Sequence, residues 1–268
     1  MTIPNVLSIA GTDPSGGAGI HADLKTFSAL GGYGMAVVTA LVAQTTTGVV
    51  SVHDVPPEFV AAQLDVLFGD VRVDAIKIGM LADSGVIRAV AGCLDRYRPP
   101  FVVLDPVMVA KSGDRLLASE AVATLVSELL PRVDLITPNL GEAADLLGIA
   151  PARDEAAMTD QAERLADLGA KRVLLKGGHL DSPLSNDVLV SEEGVRVLSA
   201  ERIATRNDHG TGCTLSSAIA VLRPQRDSWL AAVTDAKAYL SGALAAADQL
   251  DVGHGRGPVH HFFGIWPT

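Results

Sequence analysis

The segment His209-Gly210-Thr211-Gly212-Cys213-Thr214 combines two glycines, a hydroxyl and a thiol where an extended stretch turns into a helix. Backbone N–H groups freed by glycine at the positive end of a helix make an anion site suited to a phosphoryl group in transfer. Cys213 falls at the first turn, where the same field is expected to lower a thiol pKa. A second glycine loop runs from Gly11 to Gly19. It lacks the Lys-Ser/Thr that closes a Walker A loop, and no acidic residue lies between Asp23 and Asp54 to complete a dinucleotide fingerprint. Taken alone the loop is a structural turn or a site of close backbone approach to a ligand. Asn139 and Glu142 stand at i and i+3 on a starting helix. Such a pair either caps that helix or orients waters around Mg2+, a cation that keeps much of its own hydration, and Asp105 at a neighbouring strand end adds a carboxylate. Lys176 closes an apolar strand before Gly177-Gly178, which suits nucleotide phosphate or a solvated surface. Lys237 lies in an Ala-rich helix that is mostly core packing, with its ammonium free to point to the same rim. Cys93 reads as inert and buried. His254, His260 and His261 lack zinc-ligand spacing and read as solvated loop residues.

The elements that must position these residues alternate. Strands are expected at 6–10, 34–42, 75–78, 101–105, 135–137 and 172–176, with a short extended piece at 49–55. Helices are expected at 18–30, 57–68, 84–97, 119–130 with Ser119 as its cap, around Glu142, and at 159–168. Residues 187–191 and 195–198 form an antiparallel edge hairpin across Glu192-Glu193-Gly194, and 214–222 and 231–250 are helical. The alternation predicts an α/β fold, one domain over residues 1–268, a three-layer sandwich whose mainly parallel central sheet carries helices on both faces. In such a sheet ligands bind beyond the carboxyl ends of the strands. Gly11, Gln44, Met80, Asp105, Thr137 and Lys176 all collect there.

Composition narrows the class. The 268 residues are 48% hydrophobic and 19% charged, with 26 Gly and 14 Pro scattered without a period, which excludes disorder and collagen-like sequence. The formal charge of −10 argues against a nucleic-acid binder. Two cysteines make no disulfide framework, so a reducing compartment is expected. No signal peptide is read at the start, and the uncharged stretch from Thr26 to Val52 is broken by glycines and three threonines. A cytoplasmic protein that binds neither membrane nor nucleic acid is the expectation, and a homodimer is compatible with it.

Longer motifs carry a resemblance: GTDPSGGAGIHADLKTF from Gly11 to Phe27, Tyr33-Gly34-Met35, DPVMVAKSGDRLL from Asp105 to Leu117, TPNLGEA from Thr137 to Ala143, KGGH from Lys176 to His179, and HGTGCTLSSAIA from His209 to Ala220. Together they resemble the ribokinase-like superfamily, and within it the hydroxymethylpyrimidine and phosphomethylpyrimidine kinases of thiamine biosynthesis. The resemblance implies ATP and Mg2+ as cofactors, allows a monovalent cation, and implies two successive phosphorylations of a small pyrimidine. It places Gln44 on the aminopyrimidine, with Gly11, Ala18, Asp23, Met80 and Val107 around the ring. Cys213 stands where sugar kinases carry an aspartate base, and Gly210, Thr211 and Gly212 would hold the transferred phosphoryl group. Asn139 and Glu142 would organise Mg2+ with Asp105 nearby, while Lys176, His209 and Lys237 would meet the nucleotide. His21 and Asp208 depart from the usual Gln and Thr, and Asp208 sets a carboxylate beside the anion hole. Pyridoxal-directed relatives share similar loops but tend to carry an apolar residue in place of Gln44, which makes a pyridoxal or pyridoxine kinase the alternative. A non-catalytic pyrimidine or nucleotide sensor is a remoter one.

Overall fold

The central strands are largely apolar on both faces, so the sheet must be covered twice. In the computed structural model, which describes all residues except 1, 110–112, 114, 115, 119, 179, 181 and 268, this is what the chain does. The chain order is β1 (Asn5–Gly11), α1 (Gly19–Ala29), β2 (Tyr33–Thr45), β3 (Gly48–Asp54), α2 (Pro57–Asp70), β4 (Ala75–Ile78), α3 (Ser84–Tyr97), β5 (Val102–Leu104) and α4 (Ala121–Thr124). It continues with β6 (Leu135–Ile136), α5 (Leu140–Leu147), α6 (Glu155–Asp167), β7 (Val173–Lys176), β8 (Asp187–Ser191), β9 (Gly194–Leu198), α7 (Thr211–Leu222) and α8 (Trp229–Ala245). The described strands form one nine-stranded sheet in the order β3-β2-β1-β4-β5-β6-β7-β8-β9.

Strand alternation divides the core. Leu7, Ile76, Val102, Ile136 and Leu175 face one side, where Val60 and Leu64 of α2, Val86 and Val90 of α3, Leu146 of α5 and Leu165 of α6 cover them. Their neighbours Val6, Ala75, Val103, Leu135 and Leu174 face the other side, under Phe27 of α1, Leu215 and Ile219 of α7, and Trp229 and Val233 of α8. Burial on both faces explains the unbroken apolar runs.

Both ends of the sheet turn antiparallel. The expected hairpin is β8–β9, with β8 antiparallel to β7. The piece expected only as extended is a full strand, β3, antiparallel to β2. The helix expected at 119–130 is also different: α4 is one turn long, widens into a π-helical turn at Leu125–Leu129 and tightens into a 3-10 turn at Leu130–Arg132. Pro131 has no N–H to continue an α-helical ladder there. Ser119, its expected cap, and most of the segment 110–115 lie outside the described residues. Among the described residues no helix is long and apolar enough to cross a membrane.

Candidate active site

Beyond the carboxyl ends of the parallel strands lies a cavity of about 950 Å³, the upper end of the range for a small-molecule site. Gly11, Ala18, Gln44, Met80, Asp105, Val107, Asn139, Glu142, Lys176, His209 to Cys213, and Lys237 all line it. The sequence motifs thus meet on one rim because each follows a strand or starts a helix there.

Gly210 opens α7 with a left-handed φ of 78°, and a Cβ on it would stand 1.8 Å from the Gly17 carbonyl oxygen. Only glycine fits this close approach of the two loops. The start of α7 lines the cavity beside Lys176, whose Nζ would lie 3.3 Å from a Cβ on Gly212. Lys176 Nζ donates to Asp105 Oδ1 at 3.0 Å and lies 3.9 Å from Glu142 Oε2. Burial works against its charge, but Asp105 and Glu142 outweigh burial and hold its pKa above the ordinary lysine value.

Asn139 is a helix cap. Its side chain accepts from the Glu142 N–H at 2.9 Å while the Glu142 carboxylate accepts from the Asn139 N–H at 2.7 Å, a reciprocal capping box on α5. The Asn139 carboxamide oxygen is thereby committed to the backbone. Glu142 is buried, and burial together with nearby Asp105 pushes its pKa up to about 7 against the pull of Lys176. Two buried carboxylates, Asp105 and Glu142, share this part of the rim with Lys176. That donor set suits a divalent cation that keeps most of its water, although among the described residues no three His, Cys, Asp or Glu side chains cluster as a full metal cage.

The helix start does not lower the thiol pKa of Cys213 as expected. Burial, with Asp23 and Asp105 adding to it, pushes the thiol up to about 11, against the opposing pull of Lys77 and the Gly19 N–H. Desolvation of the anion outweighs the helix field.

Asp23 departs from its expected place at the ring. It is fully buried and outside the cavity lining, where it accepts from Lys77 Nζ, Ser8 and Ser217. His209 lines the cavity, but its Nε2 is paired with Asp13 Oδ2 at 2.8 Å. Lys237 Nζ likewise donates to Asp187 Oδ2 at 2.6 Å and to the Ser185 carbonyl at 2.8 Å. Asp208 forms a two-pronged pair with Arg256 at 2.7 Å on each oxygen, so its charge beside the start of α7 is met. His260 and His261 are buried rather than solvated: His261 meets Thr214 Oγ1 at 3.1 Å and packs behind α7. His179 lies outside the described residues.

Sequence reasoning missed Asp13, Lys77, Asp187 and Arg202. Asp13 accepts from Ser15 N and Oγ, Gly17 N and Ala18 N, which folds the glycine loop around one buried carboxylate. Burial opposes its charge, yet the bonds from His209 and Ser15 keep its pKa far below the usual carboxylate range. The Asp-Pro-Ser-Gly order of a side-chain-closed turn was the available signal. Arg202 donates to the Gly178, Leu180 and Ser182 carbonyls beyond β7.

The family model described as phosphomethylpyrimidine kinase matches residues 13–260. The hydroxymethylpyrimidine/phosphomethylpyrimidine kinase of Escherichia coli (strain K12) is 60% identical over 262 residues, 98% of each chain. The thiamine biosynthesis bifunctional protein ThiED of Geobacter sulfurreducens is 49% identical over 257 residues, 96% of this chain and 52% of that longer one. Among solved structures, the pyridoxal kinase from Staphylococcus aureus in complex with ADP is similar with a TM-score of 0.91 at 32% identity, covering 99% of this chain and 96% of the other.

Proposed function

The chain belongs to the phosphomethylpyrimidine kinase family, and from that premise we propose that it transfers phosphoryl groups from ATP first to hydroxymethylpyrimidine and then to the resulting monophosphate, in thiamine biosynthesis. The observation that supports this reading is the single rim on which a glycine-opened helix start, a half-buried thiol and an amide meet: Gly210 to Gly212, Cys213 and Gln44. A cavity of this size accommodates a nucleotide and a small ring side by side.

In this reading Gln44 hydrogen-bonds the aminopyrimidine while Met80, Val107 and Ala18 bound the ring. The hydroxymethyl oxygen attacks the γ-phosphorus, the bond from that phosphorus to ADP breaks, and Cys213 in its thiolate form takes the hydroxyl proton. The N–H groups of Gly210, Thr211 and Gly212 hold the transferred group, and Lys176 offsets its charge. Phosphoryl transfer asks chiefly for this kind of positioning and electrostatic stabilisation. Asp105 and Glu142 would hold Mg2+, which when bound neutralises phosphate charge. Lys237 and His209 act through Asp187 and Asp13, by fixing the walls of the nucleotide end and of the glycine loop. The free thiols fit a cytoplasmic setting.

The test is product analysis by mass spectrometry. Purified protein with hydroxymethylpyrimidine, ATP and Mg2+ is expected to give the monophosphate and then the diphosphate, with two ADP per pyrimidine. Arrest at the monophosphate would remove the second step.

A further inference from the structure

Proton transfer to Cys213 by itself gives no task to the charges behind the thiol. Lys77 lies in the middle of β4 with a fully buried side chain. Ile76 and Ile78 point to the α2–α3 side, so alternation sends Lys77 to the side of α1 and α7. Its Nζ donates to both oxygens of Asp23 at 2.9 Å. Asp23 also accepts from Ser8 Oγ at 2.6 Å and from Ser217 Oγ at 2.7 Å. Ser217 is four residues after Cys213, on the same face of α7, which places the ion pair beneath the thiol's own helical face. A Cβ on Gly79 would meet Lys77 Nζ at 2.9 Å, so the ammonium reaches up to the carboxyl end of β4, where Lys77 borders the cavity.

A buried ion pair is expensive to desolvate, and apolar residues of similar volume often serve stability as well. A charge kept at this point therefore invites a reason other than packing. The charged groups facing Cys213 are Lys77 from β4, Asp23 from α1, Asp105 after β5 and Lys176 at the end of β7, with the Gly19 N–H as a further donor. Lys77 favours the thiolate and Asp23 disfavours it.

We propose that Lys77 and Asp23 are a positioning pair for the reaction: Lys77 supplies the positive charge that lets Cys213 carry negative charge, and Asp23 holds and attenuates it. The inference rests on the reading of Cys213 as the base. In each turnover the thiol loses its proton to solvent, the thiolate takes the proton of the substrate hydroxyl as the oxygen–phosphorus bond forms, and the bond to ADP breaks.

The test is the rate of Cys213 alkylation by iodoacetamide at fixed pH, read by peptide mass so that Cys93 is distinguished, together with the pH dependence of kcat. Lys77→Gln is expected to slow alkylation about tenfold or more, the change in thiolate fraction for one pKa unit, and to move the acid limb of the kcat profile to higher pH. Asp23→Asn is expected to speed alkylation and move that limb to lower pH. A pair that only fastens β1, β4, α1 and α7 together would loosen the site in both variants and shift both rates the same way. Equal-signed or absent shifts overturn the inference. Should Lys77→Gln fail to fold, Asp23→Asn decides alone, since slower or unchanged alkylation contradicts it. Wild-type kcat in Cys213→Ala would instead defeat the base role itself, and is measured independently of the alkylation rates.

Discussion

At the scale of single residues, the proposed chemistry turns on the Cys213 thiol. Cys213 is pushed up to about 11, so the resting side chain is a neutral thiol whose conjugate base holds a proton strongly. An alcohol acceptor must lose its proton to react, whereas a phosphate monoester is already largely ionised near pH 7. Cys213→Ala is therefore expected to lower kcat of the first phosphorylation by about a hundredfold and that of the second by much less, with an unchanged melting temperature. Single-turnover rates with each acceptor check this, and equal losses in the two steps would contradict it. Positions at the rim were legible in the sequence where a side chain ends a strand or starts a helix, as for Gln44, Lys176 and Cys213. They were not legible where a role depends on a distant partner. Asp23 read as a ring contact because Lys77 lies 54 positions away and Ser217 194. His209 read as a nucleotide ligand because Asp13 lies 196 positions away.

At the scale of elements, the approach of the 11–19 loop to the start of α7 is the joint on which the site depends. Gly210 and Gly148 share left-handed backbone conformations, with φ of 78° and 66°. A Cβ on Gly148 meets nothing within 4 Å, whereas one on Gly210 collides with the Gly17 carbonyl. Both Gly→Ala substitutions carry a backbone cost of about 1–2 kcal/mol. Gly148→Ala is expected to show that cost and keep wild-type kcat, while Gly210→Ala loses at least about tenfold in kcat/KM by displacing the anion site. Urea unfolding and steady-state kinetics on the two variants separate the effects, and an active Gly210→Ala would contradict the assignment. Element order was legible because strand and helix periods differ. The strand β3 was not, because its residues 50–54 are exposed and give no inward-facing alternation. The irregular helix after Ala121 was hidden by a helical pattern that runs into Pro131.

At the scale of the whole molecule, burial makes stability depend on pH through a group far from the chemistry. His261 is buried neutral behind α7, and burial, with Lys25 and His260 adding to it, lowers its pKa to about 3. The unfolded chain binds this proton below about pH 6.5 and the folded chain only near pH 3, so stability from His261 is lost as the pH falls through that window. Glu142, pushed up to about 7, works in the opposite sense over the same range. The comparison of wild type with His261→Gln isolates the histidine: between pH 7 and pH 5 the variant is expected to gain about 2 kcal/mol relative to wild type in urea unfolding, and no relative gain would contradict the buried neutral state. The net charge of −10 is likewise compatible with phosphate chemistry, because the proposed anion site needs only Gly210 to Gly212, the helix start and Lys176. On the proposed reading the chain selects the acceptor ring, and Gln44, which lines the cavity, is the polar group assigned to it. The most direct measurement is kcat/KM for ADP release with hydroxymethylpyrimidine and with pyridoxal, in wild type and in Gln44→Met. The wild type is expected to prefer the pyrimidine, and the variant to lose about tenfold or more of that preference. A wild type that prefers pyridoxal, or a ratio unchanged by the substitution, would contradict the account.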